Sequence, residues 1–320
     1  LSARLMRSVL AILMAAIILI PVQVSGATGL FWDHARYDSD GIPIEGGVVG
    51  YGIDWNLTSN NGSSELEFIS DVESMPTIVE VYTATWCVNC VSTQNTLNDA
   101  IDDSDTEIIH YHSYWYDSLD PFGNNSTEER WESKYGHASA LRYTPRDAPT
   151  KVVDGERFHW GKVPKSDSLL DDYSASVSRG STAPLSGSLT FTISQTQHSL
   201  MVGWNISSIS NHATTGDLSI EPWLLLVEES SYYPDGLNNL QNYEHVLLDA
   251  IPLESESENH GTSNLSLPTL WDGDDLRIII LLDWSIISME GPATLLPAPG
   301  VILTLSSLFA MAVVRPPRMH

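Results

Sequence analysis

The two cysteines of the chain, Cys87 and Cys90, stand three positions apart and are its clearest candidates for chemistry. If the pair opens a helix, backbone N–H groups and the helix dipole stabilise the first sulfur as a thiolate, the reactive form. The same spacing brings the second sulfur onto the same turn, close enough to resolve a mixed disulfide. We therefore predict that Cys87 attacks and that Cys90, the more buried thiol, resolves. The pair is then itself the redox group, and we predict no other cofactor and no metal.

The residues around the pair predict the elements that must position it. The segment Thr77–Thr83 is rich in β-branched residues, which indicates a buried strand just before the cysteines. Helical periodicity follows at Val88–Ile101. Further along we predict a strand, a helical stretch, two strands joined by a tight turn, and a closing helix, at 107–112, 128–140, Thr150–Val153, Arg157–Trp160 and 166–177. This order is that of an α/β domain.

Two separated motifs carry a family resemblance. Residues 84–90 (ATWCVNC) resemble the active-site turn of the thioredoxin superfamily, in which a Trp precedes the first Cys. Ala148-Pro149-Thr150 resembles the cis-proline loop of that superfamily. The resemblance implies that Pro149 is cis, that the backbone of Ala148 receives the partner peptide, and that Trp86 shields one side of the sulfurs.

The wider pattern is similar to thioredoxin-like surface proteins of the outer-membrane-lipoprotein type, in which a β-domain follows the redox fold. Residues 120–122 (DPF) and 243–249 (YEHVLLD) carry this likeness. Residues 88–89 (VN) are neither the Gly-Pro of reductants nor the Pro-His of strong oxidants, so the motif does not give the direction of electron flow. The buried acid of the superfamily has no clear counterpart. Glu80 is the nearest candidate, and we expect it to pair with a neighbour.

A change of pattern at residue 183 predicts a second domain. Residues 180–184 (GSTAP) read as a linker, and beyond them helical periodicity gives way to alternation at period two. We therefore predict an α/β thioredoxin-like domain at 72–181 followed by an antiparallel β-sandwich at 183–290. Residues 28–71, rich in Gly, Asp, Asn and Ser, are predicted to form a loosely structured lead-in with two short strands.

The two ends of the chain predict a membrane-tethered protein whose body lies outside the cytoplasm. Residues 1–27 combine two arginines, a short apolar run and small residues, which is the layout of a signal peptide or an N-terminal anchor. Residues 293–320 hold a long uncharged stretch followed by Arg315 and Arg318, which is typical of a transmembrane anchor with a basic cytoplasmic tail. Together with residues 296–300 (LPAPG), this tail also resembles the C-terminal sorting signals of prokaryotic surface proteins, which are cut and replaced by a covalent cell-surface anchor. Six Asn-x-Ser/Thr sequons add mild support for an exported glycoprotein.

Charge limits the partners of this protein. The chain carries 41 acidic and 15 basic side chains, a formal net charge of −26. So acidic a chain repels phosphate backbones, and nucleic acid is excluded as a partner. We predict that the partners are protein thiols or disulfides outside the cytoplasm, together with the membrane that holds the anchor.

These observations predict a membrane-tethered extracytoplasmic thiol–disulfide oxidoreductase. Two alternatives stay open at this point. The chain could be a non-catalytic cell-surface binding module in which Cys87 and Cys90 form a structural disulfide. The cysteines could also join His110 or His112 in a soft-metal site that suits copper(I), although histidines in an aromatic strand are more often packed or exposed residues.

Overall fold

The computed structural model describes most of the chain between the two ends, namely residues 31–62, 65–102, 104–117, 119–207, 216–257, 259–273 and 275–288. The predicted signal segment at 1–27 and the predicted anchor at 293–320 lie outside these residues. None of the helices in this part of the chain has the length and hydropathy that a membrane span needs.

Strands make up most of the regular structure. In chain order they are β1 (Asp33–His34), β2 (Gly46–Trp55), β3 (Leu66–Asp71), β4 (Thr77–Thr83), β5 (Thr106–His112), β6 (Thr150–Val153), β7 (Arg157–Trp160), β8 (Ser188–Gln195), β9 (Ser199–Ser207), β10 (Gly216–Tyr232), β11 (Asn242–Pro252), β12 (His260–Ser266) and β13 (Leu276–Ser288). The α-helices of the described residues are α1 (Val88–Ile101), α2 (Asn125–Ala140) and α3 (Leu169–Ser178). A single 3₁₀ turn precedes β4, at Val72–Ser74.

A nine-stranded mixed sheet runs through the molecule in the order β1-β7-β6-β4-β5-β11-β10-β13-β2. Strands β4 and β5 are parallel, with Thr83 opposite His112 at their carboxyl ends. Strand β11 joins the other side of β5, also in parallel, with Val246 opposite His110. The remaining neighbours in this sheet pair antiparallel. The end of β5 therefore lies between β4, the strand just before it in the chain, and β11, a strand far later in the chain.

A four-stranded antiparallel sheet, in the order β12-β9-β8-β3, covers one face of the large sheet. Because side chains alternate along a strand, β10 serves two cores at once. Leu224 and Leu226 pack towards the small sheet. Leu225 and Val227 pack on the opposite face, in the cluster that contains Trp131 of α2.

The predicted fold class, an α/β thioredoxin-like domain followed by a separate antiparallel sandwich, is wrong. The chain is mainly β, and strands from both sides of the predicted boundary at residue 183 share the nine-stranded sheet. The physical reason is that β5 has two edges available for pairing, and β11 occupies one of them. The description "thioredoxin-like" therefore does not hold for this architecture.

Individual elements agree better with their sequence patterns. The strand at Thr77–Thr83, the helix at Val88–Ile101 and the strands at Thr150–Val153 and Arg157–Trp160 have the predicted bounds. The stretch 28–71, predicted as a loosely structured lead-in with two short strands, instead contains β1, the ten-residue β2, which pairs with β13, and β3, which pairs with β8. Local pattern thus indicates the elements, whereas their assembly depends on contacts between distant segments.

A buried ionic network ties the elements together. The guanidinium of Arg130 on α2 contacts Glu80 on β4 at 3.0 Å and Asp283 on β13 at 2.9 Å. Arg36, near the start of the described chain, forms an ion pair with the other oxygen of Asp283. Tyr111 on β5 accepts from Nε of Arg130 at 2.9 Å and donates to Glu80. Glu80 thus pairs with neighbours, as the sequence predicts.

The charge of Asp283 is stabilised inside this network. Burial by itself raises the pKa of a carboxyl, but Arg36 and Arg130 outweigh burial and hold the pKa of Asp283 at about 2. A carboxyl whose pKa is lowered in the folded state stabilises the fold above its ordinary pKa of 3.8. That contribution is lost as the pH falls through the folded value.

A second buried charge lies beneath α1. Nζ of Lys151, on β6, donates to the hydroxyl of Thr93 at 2.8 Å and lies 5.5 Å from the ring centre of Tyr173. Burial lowers the pKa of Lys151 to about 7. Between that value and its ordinary pKa of 10.5, the unfolded chain binds more protons than the folded one. The contribution of Lys151 to the free energy of unfolding therefore becomes more favourable as the pH rises across this interval.

We expect Asp283→Asn to lower the free energy of unfolding by about 3–5 kcal/mol, because it removes the carboxylate that pairs with buried Arg36 and one of the two that pair with buried Arg130. Asp54→Asn is the matched control: its side chain is 86 % exposed and pairs with Arg277, so the cost should stay below about 1 kcal/mol. Urea unfolding of both variants measures the difference. If both variants lower the free energy of unfolding by the same small amount, the buried ionic network is not a main stabilising interaction of the fold.

We expect Lys151→Met to stabilise the fold by on the order of 3 kcal/mol below pH 7, where the buried amine is charged in the natural chain. The gain should shrink as the pH rises towards 10, because the amine of the folded protein is then neutral. Lys162→Met, at an exposed lysine, should show no such trend. Thermal unfolding from pH 6 to pH 10 follows the effect, and a gain independent of pH would contradict it.

Candidate functional site

The cysteine turn lies between the carboxyl end of β4 and the start of α1. Cys87 is the N-cap of α1, and its sulfur accepts a hydrogen bond from the backbone N–H of Cys90 at 3.2 Å. The two sulfurs are joined in a disulfide. Residues 88–91 (VNCV), which form the first turn of the helix, are uncharged, so no acid in that turn opposes a thiolate on Cys87. The local arrangement is the one that stabilises Cys87 as an anion.

Exposure does not distinguish the two cysteines. Both are 5 % exposed, so the predicted greater burial of Cys90 is not seen. Their surroundings differ instead. Of the two, Cys90 lines a half-open cavity of about 260 Å³ beside the turn. The sulfurs pack with Ala84 and Ala148 in a small apolar cluster.

The other predicted site residues lie around the pair. The peptide bond between Ala148 and Pro149 is cis, as the family resemblance of this loop implies, and the carbonyl of Pro149 accepts a hydrogen bond from the N–H of Gly161 at 2.8 Å. Trp86 is 38 % exposed, and its indole N–H donates to Asp117 at 2.7 Å. The structure thus brings Ala148 into contact with the cysteines, whereas the Trp86 ring is held by Asp117.

A loop between β10 and β11 covers the residues before the cysteines. Asn238 donates from its backbone to the carbonyl of Thr85 at 3.1 Å, and its side chain accepts from the hydroxyl of Tyr243 at 2.8 Å. At Gly236 a Cβ would lie 2.0 Å from that hydroxyl, so a larger residue there would have to displace the Tyr243 side chain. No motif indicates this loop, which follows the cysteines by about 150 residues in the chain.

A histidine and a carboxylate complete the surroundings of the turn. Asp120 accepts a hydrogen bond from the N–H of Thr85 at 2.7 Å and contacts Nδ1 of His112 at 2.9 Å. The sequence singled out both residues without joining them, His112 as a possible metal ligand and Asp120 as part of a family-like motif. The only available signal was their order, since Asp120 follows shortly after the strand that His112 ends.

The contacts of His110 do not favour the alternative of a copper(I) site. Both ring nitrogens of His110 have partners, the carbonyl of Glu244 at 2.5 Å and the side chain of Gln94 at 3.1 Å. Within the described part of the chain, no three His, Cys, Asp or Glu side chains are grouped as ligands for one ion.

Comparison with known proteins gives weak likenesses only. No family model matches the chain, and no curated protein matches it. Among solved structures, the protein AGR_C_4864 of Agrobacterium tumefaciens is similar over 59 % of this chain and 78 % of its own, with 15 % identity and a TM-score of 0.39. HBP35 of Porphyromonas gingivalis is similar over 64 % of this chain and 68 % of its own, with 12 % identity and a TM-score of 0.43. Likenesses at these scores carry no argument about family or activity.

Proposed function

We propose that this protein carries out thiol–disulfide exchange with other proteins through Cys87 and Cys90. The observation that supports it most is the position of Cys87. Its sulfur caps the N-terminus of α1 and accepts the backbone N–H of Cys90, which is the environment that favours a thiolate. A disulfide that serves only as a covalent link has no need of such a cap.

The proposed exchange runs in two steps. In the first, the thiolate of Cys87 attacks a disulfide of the partner, a mixed disulfide forms, and one partner sulfur leaves as a thiol. In the second, the thiolate of Cys90 attacks Cys87, the pair becomes a disulfide, and the second partner sulfur leaves. Two electrons pass from the pair to the partner. The same steps run backwards when the pair oxidises a dithiol.

Exposed apolar side chains near the turn support a polypeptide as the partner. Val88, next to Cys87, is 61 % exposed, and Trp86 and Leu237 are also exposed. Leu237 belongs to the loop whose next residue bonds Thr85. Ala148 packs against the cysteine cluster, and under this proposal an extended peptide pairs with its backbone. A location of this chemistry outside the cytoplasm stays a prediction from residues 1–27.

The second candidate function is a binding module with an inert disulfide. One observation favours it: both cysteines are only 5 % exposed, so a partner sulfur has little direct access to either. Exchange would then require the partner to displace neighbouring side chains as it docks.

Trapping separates the two functions. The probe is a synthetic peptide whose single cysteine is disulfide-bonded to thionitrobenzoate, which is coloured when released. Reduced Cys90→Ser should release the colour and keep the peptide as a stable adduct on Cys87. Reduced Cys87→Ser, the matched control, should react at least about tenfold more slowly, because Cys90 lacks the N-cap position. If the two variants react equally slowly, the exchange proposal fails.

The reduction potential of the natural pair gives an independent measurement. Exchange predicts a potential between about −270 and −120 mV, the range of catalytic pairs. An inert structural disulfide predicts a value below about −300 mV. Equilibration with glutathione or dithiothreitol buffers, followed by alkylation and mass analysis, determines the value.

A further inference from the structure

The half-open cavity beside the cysteine turn is lined in part by residues of both strands that end there. Besides Cys90, its lining includes Thr83 from the end of β4 and His112 from the end of β5. Thr83 and His112 are opposite each other in the parallel register, so their side chains leave the same face of the sheet. That face is the one on which α1 places Cys90. A volume of about 260 Å³ holds several water molecules, each of which takes roughly 30 Å³ in the liquid.

His112 is held in one orientation by a carboxylate. Its Nδ1 lies 2.9 Å from Oδ2 of Asp120, and the other carboxylate oxygen accepts the N–H of Phe122 at 3.1 Å. A carboxylate at this distance is an acceptor, so the neutral imidazole carries its proton on Nδ1. Nε2 is then the basic nitrogen, and it forms no hydrogen bond with any residue that the structure describes.

Aromatic neighbours hold the imidazole ring in place. The ring centres of Phe122 and Tyr243 lie 5.0 and 5.8 Å from that of His112, both edge-on. The residue is 1 % exposed. The ring is therefore held in place, and the half-open cavity that His112 lines is the space through which water can reach it.

His110 provides an internal comparison. It lies two residues earlier on the same strand and the same face, and it lines the same cavity. Both of its ring nitrogens are already hydrogen-bonded, one to a backbone carbonyl and one to Gln94. Of these two histidines, His112 is the one with a nitrogen available for proton transfer.

We propose that His112, oriented by Asp120, accepts the proton of the Cys90 thiol through water in this cavity during resolution of the mixed disulfide. The inference rests on the proposed exchange function and deepens it. A thiol attacks only as the thiolate, and a buried thiol loses its proton reluctantly. A fixed base next to the cavity meets that need, as in other pairs of nucleophile and base.

The step moves one proton and replaces the mixed disulfide by the disulfide between Cys87 and Cys90. The proton moves from Cys90 by way of water to Nε2 of His112. The sulfur of Cys90 then bonds to the sulfur of Cys87 while the bond between Cys87 and the partner breaks, and its electron pair leaves on the partner sulfur. The imidazolium returns its proton through water to that thiolate or to solvent. Asp120 acts as a positioning residue that stabilises the transient imidazolium.

The two exchange steps can be timed separately with the peptide probe. Release of thionitrobenzoate reports attack by Cys87, and acid quenching followed by mass analysis reports loss of the peptide adduct through Cys90. In reduced His112→Asn we expect attack within about twofold of the natural protein and resolution slowed by about 10²-fold, the usual effect of losing a general base. In His110→Asn, the matched control, both steps should stay within about twofold.

The outcomes distinguish this inference from the function on which it rests. If His112→Asn resolves as fast as the natural protein, or His110→Asn is slowed equally, His112 is not the proton acceptor. If the natural protein releases no colour from the probe, the exchange function itself fails. A measurement that needs no variant is nitrogen NMR of the His112 ring. The proposal requires a protonated Nδ1 and an unprotonated Nε2 in the neutral ring, and the reverse tautomer would overturn it.

Discussion

The fold depends on one buried guanidinium. Arg130 lies on α2, and its two main partners are carboxylates on β4 and on β13, strands that are separated by about 200 residues in the chain. Each of these charges would be costly to bury alone, so they are stable only together. The network therefore fixes α2 against the centre of the large sheet. Since β4 ends at the cysteine turn, the same contacts set the position from which Cys87 and Cys90 face their surroundings.

The elements of this protein could be predicted from local sequence, because their causes are local. β-branched residues favour the strand at Thr77–Thr83, and the periodicity of Val88–Ile101 favours a helix whether or not the rest of the chain is known. The sheet could not be predicted. Its continuity depends on Val246 lying opposite His110, and no pattern within either segment states that pairing. Period-two strands do follow residue 183, but strands from both sides of that position share the nine-stranded sheet.

The candidate site likewise combines residues that local sequence indicates with residues that only the folded structure brings together. Cys87, Cys90 and Pro149 are recognisable because a short motif carries each of them. His112 and Asp120 were visible as residues, but their contact requires the loop after β5 to fold back on the strand end. The loop around Asn238 contributes backbone and glycine rather than a motif. What sequence reasoning missed is thus the shell of groups that orient and cover the cysteines.

The pairing of β11 with β5 has a consequence for the order in which the protein can fold. During synthesis the cysteines leave the ribosome well before β11 and β13 exist, so β5 at first has an open edge and Arg130 lacks Asp283. Contacts of such wide sequence separation form late and slowly. Until they form, neither the loop at Asn238 nor the tie to β13 is in place. The nascent cysteine turn therefore meets oxidants, chaperones and other thiols in a more accessible state than that of the finished protein.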